Sequence, residues 1–405
     1  MAAALVLVLL GCGLLVWQRP WESSGSARAV ELPADVPTRL TEQLRELSAA
    51  DSRTAFADAA GSLSAAEELA SRTWGSLRAL GVTGLELRYV SGGEVADRKD
   101  GSAEAVADVS WRAGRRSGLG DEAVHEATVL LRVAPQDDGG LSIVDARART
   151  GQLPLWLAGA VEVQRGDGVA VVTIDGGAQG LPLARMAETA RAGVRRVVPG
   201  AAGDVTLVVP HTQAQAADLV GEDPDQVAPI AAVATQLDDR GRDGARDVVV
   251  VNPEVFTTMD RRAAQVVLTH EATHLLTRAV GTRAATWVVE GFADYVALHD
   301  DTAPLSVSAG QALARVADGT LPRTLPDADE FSTAGRSLGA VYESTWLIFR
   351  MLGEEHLDAD IVAFYESVLS GRGVDAALRD DLDLTSPQLT RQWRAYLTKS
   401  ASTVS

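Results

Sequence analysis

Cysteine is nearly absent from the chain. Its 405 residues hold one, Cys12, inside an apolar run near the N-terminus. The rest of the chain therefore has no disulfide, no thiolate metal site and no cysteine nucleophile, whatever its compartment. Lysine is scarce as well: Lys99 and Lys399 stand among 37 basic residues set against 55 acidic ones, for a net charge of −18. Nucleic-acid binding needs clustered positive charge facing phosphates, so no nucleic-acid partner is expected. A neutral or basic peptide is not excluded. No internal repeat, phosphate-binding loop, dinucleotide fingerprint or Cys/His ribbon occurs.

Positive charge is also missing ahead of the first apolar segment. Ala2 to Trp17 is sixteen uncharged residues, followed by Gln18-Arg19-Pro20 and Trp21. At about 1.5 Å per residue such a helix spans about 24 Å, slightly less than a hydrocarbon core of about 30 Å. The expectation is an N-terminal membrane anchor over 1–17 that holds the protein at the cell membrane. A cleaved signal peptide would need a small-residue site soon after the apolar run, and Ala27-Arg28-Ala29 is too distant. Leu9 to Cys12 outlines a lipoprotein signal, but apolar residues continue past Cys12, so lipidation is the lesser alternative. Arg19 alone would hold the body in the cytoplasm by charge bias. One arginine is a small bias, and the reading favours a body outside the membrane.

Residues 18–37, polar and carrying three prolines, read as a linker. From Thr38 to Leu80 apolar residues recur at helical spacing, as in Leu40, Leu44 and Leu47. After Gly81 the period falls to two in LELRYV, AVADVSW, HEATVLLRV, LSIVDARA and GVAVVTID, separated by Gly/Asp turns. Helices followed by antiparallel strands predict an accessory α+β domain over 38–175, similar to cystatin- or NTF2-like modules in coarse outline only. A boundary is placed at Asp175–Gly180. Beyond it, a helix over 182–198, the strand VTLVVP, a polar helix, and the strands IAAVAT and DVVVVNP lead into the second domain, 180–395. The remaining 396–405 read as a disordered tail. The fold class is thus α+β, a helix-plus-antiparallel-sheet module followed by a mostly helical domain with a small sheet. The apolar content of 46% is ample for both cores.

The stretch that carries chemistry is His270-Glu271-Ala272-Thr273-His274, with Glu290 sixteen residues later in WVVEGFADY. On a helix ending near Thr277, His270 and His274 stand one turn apart on one face, aimed at one point. Catalytic zinc takes three protein ligands and keeps a fourth position for water. Two histidines fill two places, Glu290 from a second helix is the natural third, and Glu271 reaches the water as general base. With six histidines and 22 glutamates in the chain, HExxH is expected by chance on the order of 0.005 times, so the motif is specific. Asp260, or Thr257 or Thr258, can cap the helix and Gly281 can end it.

HEATH together with WVVEGFADY resembles the gluzincin metallopeptidases, and among them the short peptidase MA-like domains of bacteria. The resemblance covers roughly 180–395. It implies a zinc metallopeptidase with His270, His274 and Glu290 as ligands of one zinc ion per chain and Glu271 as general base. Asp294, four residues after Glu290, stands where such enzymes often carry an acid that orients the first histidine. Tyr342 lies on the helix AVYESTWLIFRML, which in these domains packs near the metal, and is the candidate donor to the oxyanion; Tyr295 competes for that role. The gap from His274 to Glu290 is shorter than in thermolysin-like enzymes. A GxMEN-type element is absent, which favours an endopeptidase acting on a peptide or protein substrate. Two alternatives stand: a catalytically silent cell-envelope binding protein on the same fold, and zinc-dependent hydrolysis of something other than a peptide. The irregular stretch Asp300–Arg336 reads as a lid, a cleft wall or a surface excursion. His125, His211, His299 and His356 have no matching ligands and read as structural or surface residues.

Overall fold

The computed structural model describes residues 35–92, 101–113, 124–149, 151–237, 247–331 and 338–404. The expected anchor, Cys12 and nearly all of the linker lie outside them. No helix among the described residues is long and apolar enough to cross a membrane.

Three helices open the chain, α1 (Val36–Ala49), α2 (Arg53–Ala60) and α3 (Ser64–Leu80). Gly81 ends α3 in the left-handed conformation, φ 66°, which lets its N–H reach back to the last carbonyls. Strands β1 (Thr83–Gly92), β2 (Ala103–Arg112), β3 (Val124–Pro135) and β4 (Leu141–Ala148) follow as an antiparallel sheet in sequential order. Period-two alternation turns Ala105, Ala107, Val109 and Trp111 of β2 and Val129, Leu131 and Val133 of β3 toward the helices. There they pack with Leu40, Leu44 and Leu77.

The second sheet has the order β5-β6-β7-β9-β8, with β5 (Val161–Gly166), β6 (Val169–Ile174), β7 (Val205–Val209), β8 (Ala232–Gln236) and β9 (Asp247–Val251). β6, β7 and β9 run parallel, while β5 and β8 pair antiparallel at the two edges. β6 and β7 are joined through α4 (Leu183–Val197), and β7 is followed by α5 (Gln213–Val220) and α6 (Pro224–Val227). One face of this sheet, with Val171, Leu207 and Val249, lies in the core of the helical half. The other face, with Val172, Val208 and Val250, shares the core of the N-terminal module.

β5 and β6 precede the expected boundary at 175–180 and belong to the second sheet. The alternation in GVAVVTID reports a strand without reporting which sheet the strand joins. Ser76 ties the halves further, donating to Gly159 O at 2.8 Å and accepting from Val161 N at 3.1 Å.

The helical half continues with α7 (Pro253–Phe256), α8 (Arg261–Thr277), α9 (Thr286–Ala297), α10 (Leu305–Ser308), α11 (Gly310–Ala317), a 3-10 turn (Ala328–Phe331), α12 (Leu338–Glu355), α13 (Asp358–Leu369), α14 (Val374–Leu382) and α15 (Ser386–Val404). Two expectations change. The stretch after Asp300 is not wholly irregular, since it holds α10, α11 and the 3-10 turn. The expected tail 396–405 is helical through Val404, because Trp393, Leu397 and Ala401 form a buried stripe at four-residue spacing and Trp393 Nε1 donates to Ser344 O at 2.9 Å.

Candidate metal centre

Helix α8 begins where the Asp260 side chain accepts from Ala263 N at 2.9 Å. It ends at Arg278, left-handed with φ 58°, whose N–H reaches back into the last turn. Gly281 is therefore not its terminator. The helix is buried along almost its whole length, from Ala263 to Leu276, between the second sheet, α4 and α9. Helix α9 crosses it and carries Glu290 and Asp294 one turn apart. A Cβ on Gly291 would lie 2.7 Å from Thr345 and Phe349 side chains, so the glycine between these acids lets α12 close against α9.

His270 and His274 point their Nε2 atoms at each other, 3.1 Å apart. Glu290 Oε2 lies 3.2 Å from the first and 3.7 Å from the second. One ligand atom from each of the three residues lies within 4.8 Å of the others, and all three residues are buried. His270 Nδ1 sits 2.7 Å from Asp294 Oδ1. A carboxylate partner places the proton on Nδ1 and leaves the Nε2 lone pair facing the cluster. Nitrogen and carboxylate lone pairs thus converge in a buried interior, and Glu290 Oε1 has no hydrogen-bond partner among the described residues. A cation is what reconciles such an arrangement, so the residues present fit a metal ion. Burial opposes a charged His270, yet the Asp294 and Glu290 carboxylates hold its pKa well above the ordinary value. Burial likewise works against the Glu290 carboxylate, and the two histidines hold its pKa below the ordinary value.

Glu271 lies outside this triad. Its Oε2 accepts the backbone N–H of Ala234 at 2.7 Å, from the edge strand β8. Tyr342 is 1% exposed, with its ring 6.4 Å from that of His270 and 5.2 Å from that of Phe331, which is set edge-on to it. Tyr295 turns elsewhere, its hydroxyl donating to Asp358 on α13. His125 stacks on Trp111 at 5.5 Å, His211 is exposed in a loop, His299 lies between Asp300 and Asp358, and His356 closes α12. The Ala234 amide, Phe331 and Gly291 were not singled out from sequence. They lie respectively in the strand IAAVAT, in the stretch Asp300–Arg336 and in the run WVVEGFADY.

No protein family's sequence profile matches the chain, and no curated protein matches it. A solved structure does: an M1 zinc metallopeptidase mutant from Deinococcus radiodurans, bound to a Tyr-Ser-Ala substrate. It is 11% identical with a TM-score of 0.34, over 77% of this chain and 61% of that one. This chain thus spans under two thirds of that protein, and the centre stands on its own geometry.

Proposed function

We propose that the chain is a zinc-dependent metallopeptidase that cleaves internal peptide bonds. The observation that carries this reading is the convergence of His270 Nε2, His274 Nε2 and a Glu290 carboxylate oxygen in a buried cluster, with Glu271 next to His270 in sequence and outside the ligand set. Two imidazole nitrogens and one carboxylate oxygen are the donors a catalytic zinc takes when one position stays open. A zinc ion held there, one per chain, would supply Lewis acidity and lower the pKa of a water toward neutrality.

The chain's own residues do the rest. Glu271 takes the proton of the attacking water and passes it to the leaving amine, so it starts and finishes each turnover as a carboxylate. The Ala234 N–H fixes the position of one of its oxygens. Asp294 keeps the His270 proton on Nδ1 and so keeps Nε2 available as a ligand. Tyr342, whose ring lies 6.4 Å from that of His270, is the candidate donor to the negative charge that develops on the scissile oxygen. An extended peptide can lie along β8, which stands at the edge of the second sheet among the described residues. The uncharged segment 2–17 anchors the enzyme at the cell membrane with its body on the outer side. External protease on intact cells should then digest the body, and full protection would reverse that orientation.

Peptide-library digestion by the zinc-loaded protein, run beside Glu271→Gln with zinc content measured in both, tests the activity. Cleavage by the parent and none by the equally loaded variant is expected. If both carry zinc and neither cuts, a binding protein on this fold replaces the peptidase.

A further inference from the structure

The edge strand that holds Glu271 is itself held from the other half of the molecule. β8 is five residues long and, among the described strands, bonds to β9 alone. Asn252 N–H donates to Ala231 O at 2.9 Å, which fixes the phase of the antiparallel ladder. Bonded and non-bonded pairs alternate from there, so Val233 and Thr235 bond to β9. Ala234, opposite Val249, and Gln236, opposite Asp247, turn their N–H and C=O groups away from it. Two side chains meet these outward groups. Glu271 Oε2 takes the Ala234 N–H at 2.7 Å, and Gln152 Nε2 donates to Gln236 O at 2.7 Å.

Gln152 stands on a firm base. It precedes the 3-10 turn Leu155–Leu157, whose Leu155 and Trp156 lie in the core of the N-terminal module. The next residue, Leu153, donates its N–H to Asp218 O on α5 at 3.1 Å. Helix α5 ends at Gly221, left-handed with φ 73°, and a Cβ there would lie 3.1 Å from the Gly151 carbonyl carbon and 3.3 Å from Gln152 Cγ. The glycine lets Gln152 pass close beside the helix end. From there its carboxamide reaches a carbonyl two residues along from the amide that holds Glu271.

We propose that Gln152 is a positioning residue for Glu271: it fixes the outer side of β8, and β8 fixes the carboxylate through the Ala234 N–H. Its effect on turnover rests on the peptidase reading, and its hold on β8 does not. Without the Gln152 donor, this end of β8 keeps the β9 ladder and the Thr235 hydroxyl, which lies 3.4 Å from the same carbonyl. A strand so loosened lets the base wander, and misplacement of a catalytic group slows turnover more than it weakens binding.

The test is hydrogen exchange at single-residue resolution on the intact protein, comparing the parent with Gln152→Met, which keeps the length of the side chain and lacks the donor. The Ala234 amide reports on the Glu271 bond directly, because β9 does not share it. It should exchange about 3- to 10-fold faster in Gln152→Met, the change that one net hydrogen bond carries, with the amides of β6 and β7 unchanged. Gln152→Lys keeps a donor and should restore the parent rate. Unchanged Ala234 exchange in Gln152→Met overturns the proposal, and so does equal acceleration in both variants. This measurement needs no turnover, so its failure is distinct from failure of the peptidase reading. In the zinc-loaded enzyme, Gln152→Met should lower kcat about 3- to 10-fold with KM and zinc content unchanged. Ala234→Pro removes an amide that the ladder does not use, which an edge strand tolerates. In that background Gln152→Met should change kcat by less than about twofold, since the route to Glu271 is already cut. A loss there as large as in the parent overturns the proposal.

Discussion

Two places in this molecule bring acids and bases together, and they do so on opposite terms. On the open face of the four-stranded sheet, Arg88 pairs with Asp108, with side chains 72% and 38% exposed. In the helical half, His270, Glu271, His274, Glu290 and Asp294 are each 4% exposed or less. The first arrangement costs the fold little, because water solvates both partners in any state. The second desolvates five ionisable groups and leaves a carboxylate oxygen without a hydrogen-bond partner among the described residues. Desolvation of that size is retained where a site requires it, and a charged ligand is what the geometry lacks to balance it. The contrast can be broken or sharpened by substitution.

The largest effect belongs to the ligands. His274→Ala leaves two donors where three converged and should lose metal altogether on dialysis, with cleavage falling to background. In the parent, saturating metal adds about 4 kcal/mol at a free concentration near 1,000 times Kd, so chelation lowers Tm, and the variant should show no such response. Metal analysis and thermal unfolding with and without chelator check both; a variant that holds one ion per chain would remove His274 from the site. Next comes Glu271→Gln, which keeps the ion and should reduce kcat by about 10²–10⁴, the usual contribution of a positioned general base. Full activity in that variant would move the base elsewhere.

Asp294→Asn should act more gently, through His270. Its amide can still accept from Nδ1–H but no longer carries the charge, and metal affinity should fall about 10- to 100-fold while the ligand set is unchanged. Competition with a chelator of known affinity measures this, and an unchanged Kd would reduce Asp294 to a packing residue.

Legibility in the sequence follows the same divide. The triad was readable because its parts are local: two histidines one turn apart, and two acids one turn apart on the next helix, need only the helical period to be placed. The α+β class followed from a change of period at Gly81. What escaped was long-range or carried by backbone. The Ala234 N–H has no side-chain signature, and its value depends on β8 being an edge strand lying over α8. Gln152 looks like any glutamine in a connecting stretch, and only the passage of β8 beside it gives its carboxamide an acceptor. β5 and β6 alternate like the strands before them, so nothing local assigned them to the second sheet. The C-terminal helix was different: Trp393, Leu397 and Ala401 did carry a helical stripe, outweighed in the reading by the polar residues around it.

The smallest effects should come from the sheet, and they grade with burial. Arg147 bonds Glu104 at 2.8 Å, and the Glu104 side chain is only 6% exposed against 59% for the arginine. Arg147→Ala takes a charge partner from a buried carboxylate and should cost about 1–3 kcal/mol in chemical denaturation. Arg88→Ala should cost no more than about 1 kcal/mol. Opposite charges 4 Å apart in water attract by about 1 kcal/mol, and ordering a long arginine side chain cancels much of that. Asp108 also keeps the Thr128 hydroxyl, which donates to its other oxygen at 3.0 Å, when Arg88 is gone. The Arg88 difference should shrink further in about 1 M salt, where the screening length falls to about 3 Å, while the Arg147 difference should persist, because its carboxylate lies out of reach of mobile ions. If both variants lost the same amount and responded alike to salt, burial would not be what separates the two kinds of charge pair, and the cost assigned to the metal centre would lose its basis.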